Sequence, residues 1–421
     1  MAVKGTKLLK LLEQHQNAST GAAGYKKDFR AFLGLEEGEG DPTLGNSRKA
    51  MDAKDISLGD LAHTFLGRHA GASDIKRAFK IAEQFSNMQE AEGSVVLPSQ
   101  FANISAFTDT VSGLVDALTL EAYLSPEFIG DQLFETQEAR VNGGYAIGMG
   151  NDGKGGDADL LDGQAYPTVG LKESKVHIPD NQRHGSVIQI NEKVFLYDLT
   201  GQVQEMAAAA GYSTRRNKEV RQADVALGIT NTYERDGVST NTYITTAGTV
   251  PNNYINSSTN VLTDWNAIDR AWQVMSANTD PLTGFEISIP LEGAQILVMP
   301  QRRFATQTIL QSEWVRQITN SSNEIRQGGM PLPNLTMIPA TYIWYNRLIA
   351  SGVSTTNAPQ RWGMGNFKKA FKYRSVIPFQ VSDSPLSNED VRRDIVLVKI
   401  AREHGTAWIK EPRFAYQGTS E

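Results

Sequence analysis

Four aspartates fall within or just after the most glycine-dense stretch of the sequence, Gly148-Met149-Gly150-Asn151-Asp152-Gly153-Lys154-Gly155-Gly156-Asp157. Asp152, Asp157, Asp159 and Asp162 carry oxygens that suit calcium, and glycine backbone amides suit a phosphate. Neither pattern is complete. A phosphate-binding loop ends in Gly-Lys-Ser or Gly-Lys-Thr, whereas Lys154 is followed by Gly155; a dinucleotide fingerprint needs a strand before it and a helix after; and the calcium-loop register lacks its final Glu. The segment reads as a solvated hinge or surface loop.

The six histidines, His15, His63, His69, His177, His184 and His404, also fail as a ligand set. His63 and His69 are six apart on a predicted helix and point to different faces, unlike an i, i+4 zinc pair. His177 and His184 flank a predicted turn without a third ligand. There is no Gly-x-Ser-x-Gly elbow and no His-Glu-x-x-His. The absence of cysteine removes disulfides, thiolate metal sites and cysteine nucleophiles together, and fits assembly in a reducing compartment. No catalytic residue, metal or cofactor is expected.

Two basic-aromatic clusters bear on nucleic acid. Arg302-Arg303-Phe304 is one; the other sets Arg361, Lys368, Lys369, Lys372 and Arg374 among Trp362, Phe367, Phe371 and Tyr373. The i, i+4 spacing of Phe367 and Phe371 reads as a core stripe with lysines on the wet side. A net charge of -6 argues against a surface that wraps nucleic acid, because such binding needs Lys and Arg to neutralise phosphates.

The elements that must position these residues begin with helices. Hydrophobic residues at 40% and charged residues at 21% over 421 residues fit a soluble protein of two or three structural units. No apolar run is long enough to cross a membrane, and the Lys/Leu-mixed N-terminus does not read as a secretion signal. Residues 1–95 read as amphipathic helices joined by polar loops, with helix caps at Ser57 and Ser73. A helix is predicted over 105–120.

Extended runs at 166–178 and 186–190, separated by Pro179-Asp180-Asn181-Gln182-Arg183-His184-Gly185, predict a projecting two-stranded arm. A strong amphipathic helix follows. Phe195, Leu199, Val203 and Met206 form its expected core face, Gly211 breaks it, and Ser213 or Thr214 caps a second piece to Gly228. Residues 229 to about 290, rich in Thr, Asn and Ser, favour strands and loops. Within them a helix is expected over 264–275. Ala294 to Pro300 reads as a buried strand, and 301–319 as a helix launched from it.

The last quarter carries Gly363-Met364-Gly365-Asn366-Phe367-Lys368-Lys369-Ala370-Phe371-Lys372-Tyr373-Arg374, then Asn388-Glu389-Asp390-Val391, the strand-like 394–403, and Trp408-Ile409-Lys410-Glu411-Pro412-Arg413-Phe414. This order, with Ile296 to Phe304 as strand, proline and helix, resembles the major capsid proteins of tailed bacteriophages, the Hong Kong 97 type of shell subunit. The resemblance covers about 150–421 and rests on element order. It implies an α+β fold with an N-terminal helical arm, an extended loop, a peripheral domain with a long spine helix, and an axial domain.

The domains it implies are a helical, scaffolding-like region at 1–95, an N-arm and glycine-rich linker at 96–164, and the extended loop at 165–190. The peripheral domain would take 191–228 and 386–421, and the axial domain 229–385. Lys172, Lys175, His177, Arg183 and His184 on the loop are the implied intersubunit contacts. The implied function is structural: hexamers and pentamers tiling the icosahedral head around double-stranded DNA held by weak, non-specific contact. Scaffold, portal and decoration proteins are the implied partners, and assembly would occur in the host cytoplasm. Alternatives are an encapsulin-like nanocompartment shell, a β-rich adhesion module suggested by Thr230 to Asn260, and a hydrolase whose site forms only on folding.

Overall fold

The computed structural model describes residues 99–147, 174–191, 201–244, 255–277, 293–311, 314–319, 324–329, 335–385 and 393–420. In chain order the elements are α1 (Ser99–Tyr123), α2 (Gly130–Leu133), β1 (Glu135–Glu138), β2 (Tyr145–Ile147), β3 (Lys175–His177), β4 (Gln182–Asn191), α3 (Gln202–Ala226), β5 (Thr232–Arg235), β6 (Val238–Asn241), β7 (Tyr243–Ile244) and β8 (Ile255–Thr259). There follow α4 (Trp265–Ser276), β9 (Gln295–Val298), α5 (Arg303–Leu310), β10 (Trp314–Thr319), β11 (Glu324–Gly329), β12 (Thr336–Pro339), α6 (Tyr342–Ala350), β13 (Trp362–Gly365), α7 (Phe367–Ala370), β14 (Phe371–Asp383), β15 (Ile395–Ile409) and β16 (Ala415–Thr419). Helix and sheet are mixed as an α+β protein.

Two compact units divide the chain. One comprises 1–125, 184–215 and 379–403; the other comprises 126–183, 216–378 and 404–421.

In the first unit, α1 is buried on every side from Val111 to Thr119. Such a helix needs partners for its polar groups, and it has them. The Thr119 hydroxyl donates to the Val115 carbonyl at 2.7 Å. Lys399 of β15, fully buried, places Nζ 2.6 Å from Ser112 Oγ and 2.7 Å from one oxygen each of Asp116 and Asp383. Three ammonium donors thus meet three acceptors, which keeps the charge affordable inside the fold.

Helix α3 corrects the sequence reading at Gly211. The helix runs unbroken from Gln202 to Ala226, and Thr214, expected to cap a second piece, instead donates its hydroxyl to the Ala210 carbonyl at 3.1 Å. Gly211 is there for closeness: a Cβ at this position would sit 2.0 Å from the Thr119 carbonyl oxygen of α1. Alanine gains about 1 kcal/mol of helix propensity over glycine, but backbone overlap cannot be relieved by rotating a side chain. Gly211→Ala is therefore expected to lower the denaturant midpoint in spite of that gain; a raised midpoint would show that the two helices separate freely.

The second unit holds the larger core. Its six-stranded sheet has the order β12-β9-β13-β16-β8-β7, with β9 and β12 parallel. Strand β9 explains the unbroken apolar run Ile296-Leu297-Val298: Ile296 and Val298 pack with Trp362, Met364, Tyr416 and the inner face of α4, while Leu297 joins a cluster around Trp344, Phe371 and Tyr373. A strand covered on both faces reads as continuous rather than alternating. Helix α4 starts where expected, with the Asp264 side chain accepting from the Asn266 amide. Phe367 and Phe371 are buried and Lys368 and Lys369 exposed, as the core-stripe reading expects, but Lys372 is buried against Glu135, and Phe371 opens β14 instead of continuing a helix.

Three further expectations are revised. The helix at 105–120 extends over 99–123. The helix expected over 301–319 stops at Leu310, and the β-branched Val315, Ile318 and Thr319 instead form β10, paired antiparallel with β11. The strand expected at 394–403 is the first part of a longer one, β15, which runs to Ile409 and is followed by β16 from Ala415. The helical region 1–95 and the glycine-rich loop lie outside the described residues.

Candidate assembly elements

The predicted arm pairs differently from expectation. Strands β3 and β4 do not form a hairpin with each other: β3 belongs to the sheet β2-β3-β5-β6, whereas β4 lies in the order β1-β14-β15-β4. The antiparallel partner of β3 is β2, with Tyr145 opposite His177, Ala146 opposite Val176 and Ile147 opposite Lys175. Ala146 lies opposite Val176, the buried residue of β3, so the two share the inner face of the sheet. The root of a hairpin is thus at 145–177 rather than 165–190.

That root is held by a tight turn. Asp236 and Gly237 join β5 to β6 with φ of 52° and 80°, the left-handed geometry of a two-residue hairpin, and Arg235 pairs with Val238 across it. The Asp236 carboxylate accepts from the Lys175 amide at 2.7 Å and from the Ser174 hydroxyl at 3.3 Å. The point where β3 begins is therefore fixed by a neighbouring turn.

The sheet has two unlike faces. Val176, Tyr233, Arg235 and Thr240 are buried on the inner one. Beneath it Arg235 donates to Ser174 Oγ at 2.6 Å and lies 3.5 Å from Glu411, whose other oxygen is 2.9 Å from Arg413. All three charged side chains are buried, so one carboxylate holds two guanidiniums inside the fold. On the outer face Tyr145 and Ile147 are 65% and 66% exposed, next to Lys175, His177 and Glu234. The Tyr145 and His177 rings meet edge to face at 5.5 Å, and His177 Nδ1 is 3.9 Å from the Glu234 carboxylate. A cleft of about 260 Å³ opens beside them, lined by His177, Glu234, Thr232, Ala407, Trp408 and Ile409 among others.

Within the same unit the second half of α3 is pinned by its polar side chains. Glu219, fully buried, accepts from the Ile129 amide at 2.9 Å, from the Gly130 amide at 3.0 Å and from the Trp344 indole N–H at 2.7 Å. Asp224 accepts from both Nε and Nη2 of Arg347, and this bidentate hydrogen bonding raises the guanidinium pKa above its ordinary value. Burial pushes the Tyr243 phenol up, and its O–H donates to the Ala226 carbonyl at 2.7 Å.

Of the expected contact residues, Lys175 and Arg183 are exposed and His177 and His184 half-buried; His177 lies on the outer face of the β2–β3 sheet and His184 on β4, so the turn does not bring them together as a pair in one sheet. Lys172, Phe195 and Leu199 lie outside the described residues. Val203 is buried on α3 as expected. Met206 is not a core residue: it is 44% exposed, because the face of α3 that packs inward runs through Val203, Ala207 and Gly211 instead. Among the described residues no group of three or more His, Asp or Glu is placed to hold a metal, and no helix is long and apolar enough to cross a membrane.

Tyr145, Ile147, Glu219 and Glu411 were not singled out by sequence. Two signals were present: the Tyr-Ala-Ile alternation before the glycine-rich loop, and the Asp236-Gly237 dipeptide, which marks a two-residue hairpin.

The family model described as phage capsid protein matches residues 181–418, more than half of the chain. The chain belongs to the phage capsid protein family, in agreement with the resemblance to tailed-phage major capsid proteins. It is a structural major capsid protein that assembles with copies of itself into the shell of a virion, and the nanocompartment alternative is not favoured.

Solved structures that match include the capsid of cyanophage P-SCSP1u, at 11% identity over 69% of this chain and 88% of that one with a TM-score of 0.45. The capsid of a native GTA particle matches at 9% identity over 70% and 90%, TM-score 0.41. The mature capsid of bacteriophage PhiM1 matches at 11% over 68% and 84%, TM-score 0.41. No curated protein matches the chain.

Proposed function

We propose that the chain tiles as hexamers and pentamers into the icosahedral head of a tailed phage, with the segment joining β2 to β3 as the extended loop that engages a neighbouring subunit. Family membership supports the first part. The observation that carries the second is the β2–β3 pair itself, whose strands end at Ile147 and resume at Lys175. Hairpin connections are ordinarily about 2–5 residues, so a connection of this length serves something other than closing the turn.

The axial domain is assigned to 229–385, the peripheral domain to 191–228 and 386–421, and the region 1–95 to a scaffolding role during assembly in the host cytoplasm. Scaffold, portal and decoration proteins are the further partners. The enclosed DNA is held weakly, in keeping with the net charge of -6. The protein acts without turnover chemistry.

Replacing residues 150–171 by a short Gly-Ser linker tests the loop. A loop whose contacts are with a neighbouring subunit contributes little to its own subunit's core, so the variant is expected to remain soluble with a near-normal melting transition and to form no closed particles by negative-stain imaging. Normal shells from the variant would remove the loop from the interface. Wild-type protein that stays monomeric in analytical ultracentrifugation at every concentration and salt would remove the capsid reading altogether.

A further inference from the structure

We propose that Asn142 is a site of self-modification, at which the backbone amide of Gly143 attacks the Asn142 carboxamide and converts it to aspartate or isoaspartate. Asn142-Gly143 is the single Asn-Gly pair in the sequence, and it lies in the connection between β1 and β2. Gly143 and Gly144 both hold positive φ, 64° and 115°, and neither carries a side chain to shield the attacking amide. Among the described residues none accepts a hydrogen bond from that amide. Asn142 itself is exposed, so water reaches its carboxamide.

The segment leading into β4 supplies the polar groups that the reaction needs. The Asn142 carbonyl oxygen, Oδ1, accepts from the Asn181 backbone amide at 3.0 Å and from Asn181 Nδ2 at 3.2 Å. Two donors on the oxygen where charge develops during attack act as an oxyanion hole. Asp180 Oδ1 stands 2.7 Å from the point that a Cβ on Gly143 would occupy, which places a proton acceptor over the same residue. Flanking contacts hold the turn in position: Asn181 Nδ2 also donates to the Val141 carbonyl at 3.0 Å, Arg374 to the Gly143 carbonyl, and the Ile178 amide to the Gly144 carbonyl at 2.8 Å. Nucleophile and electrophile are adjacent in one chain, so no encounter step is needed. The bond from Gly143 N to Asn142 Cγ forms, the Cγ–Nδ2 bond breaks, and ammonia leaves with the proton released from the amide. Water then opens the cyclic imide at either carbonyl. The isoaspartate product carries an extra methylene in the main chain just before β2.

Peptide mass spectrometry of the full chain, incubated folded and in urea at the same mildly alkaline pH, tests the proposal. Folded wild-type protein is expected to convert Asn142 faster than the denatured chain, to take up the oxygen of isotopically labelled water at that residue, and to become a substrate for isoaspartyl methyltransferase. Asn181→Ala removes one donor and Asp180→Asn the proton acceptor, and each is expected to slow conversion about tenfold in subunits with a wild-type circular dichroism spectrum. An Asn142 that stays an amide, conversion no faster in the fold than in urea, or a wild-type rate in either variant would overturn the proposal. The comparison of folded with denatured wild type needs no variant, so it decides the matter even if a substitution disturbs the turn.

Discussion

Glu411→Ala protein is expected to lose about 3–5 kcal/mol of stability, the cost of leaving a buried ion without its counter-charge. The effect is large because Glu411 is the carboxylate between two buried guanidiniums, Arg235 on β5 and Arg413 just before β16. Removing it takes a counter-charge from two buried guanidiniums at once, and it unties the outer sheet's inner face from the closing strands of the chain. Denaturant unfolding of the soluble subunit measures the loss. A change below about 1 kcal/mol, the range of an exposed pair, would show that the two arginines are held adequately by other groups.

The second large effect is expected at Glu219. Its carboxylate gathers two backbone amides at the start of α2 and the indole of Trp344 on α6, so it sets where three segments distant in sequence meet. Hydrogen bonds to a charged acceptor contribute about 1.5–3 kcal/mol each, and orphaned buried donors add their own desolvation cost. Glu219→Ala should therefore destabilise by several kcal/mol, with Glu219→Gln intermediate, since an amide keeps one acceptor oxygen but points an N–H toward donors. Equal stability of the glutamine variant and wild type would mean that the charge is immaterial and only shape matters.

Much of this was legible from sequence because it depended on local pattern. Strand β9, helix α4 and the buried pair Phe367 and Phe371 were readable from local pattern. What failed depended on partners far along the chain. Gly211 was read as a break because glycine ordinarily weakens a helix, yet its role is set by Thr119 on α1, which no window around position 211 contains. The arm was placed between β3 and β4 because Pro179 to Gly185 is rich in turn residues; the pairing of β3 with β2 spans a connection too long for turn chemistry to announce. Met206 continued an apolar spacing that the fold does not follow, since small residues at Ala207 and Gly211 let α3 face inward one position further round. The outer-face residues Tyr145 and Ile147 were passed over because an alternation only three residues long is too short to mark a strand by itself.

Lys399 bears on timing. Its three acceptors lie at Ser112, Asp116 and Asp383, so the polar groups inside α1 wait for a lysine 283 residues beyond Asp116. During synthesis at about 5–20 residues per second, α1 emerges from the ribosome long before the strand that neutralises it. The first unit cannot close until nearly the whole polypeptide has been made, and a nascent chain stalled before Asp383 lacks both the lysine and one of its carboxylates. A chain terminated before Lys399 therefore leaves Ser112 and Asp116 inside the fold without the ammonium that binds them.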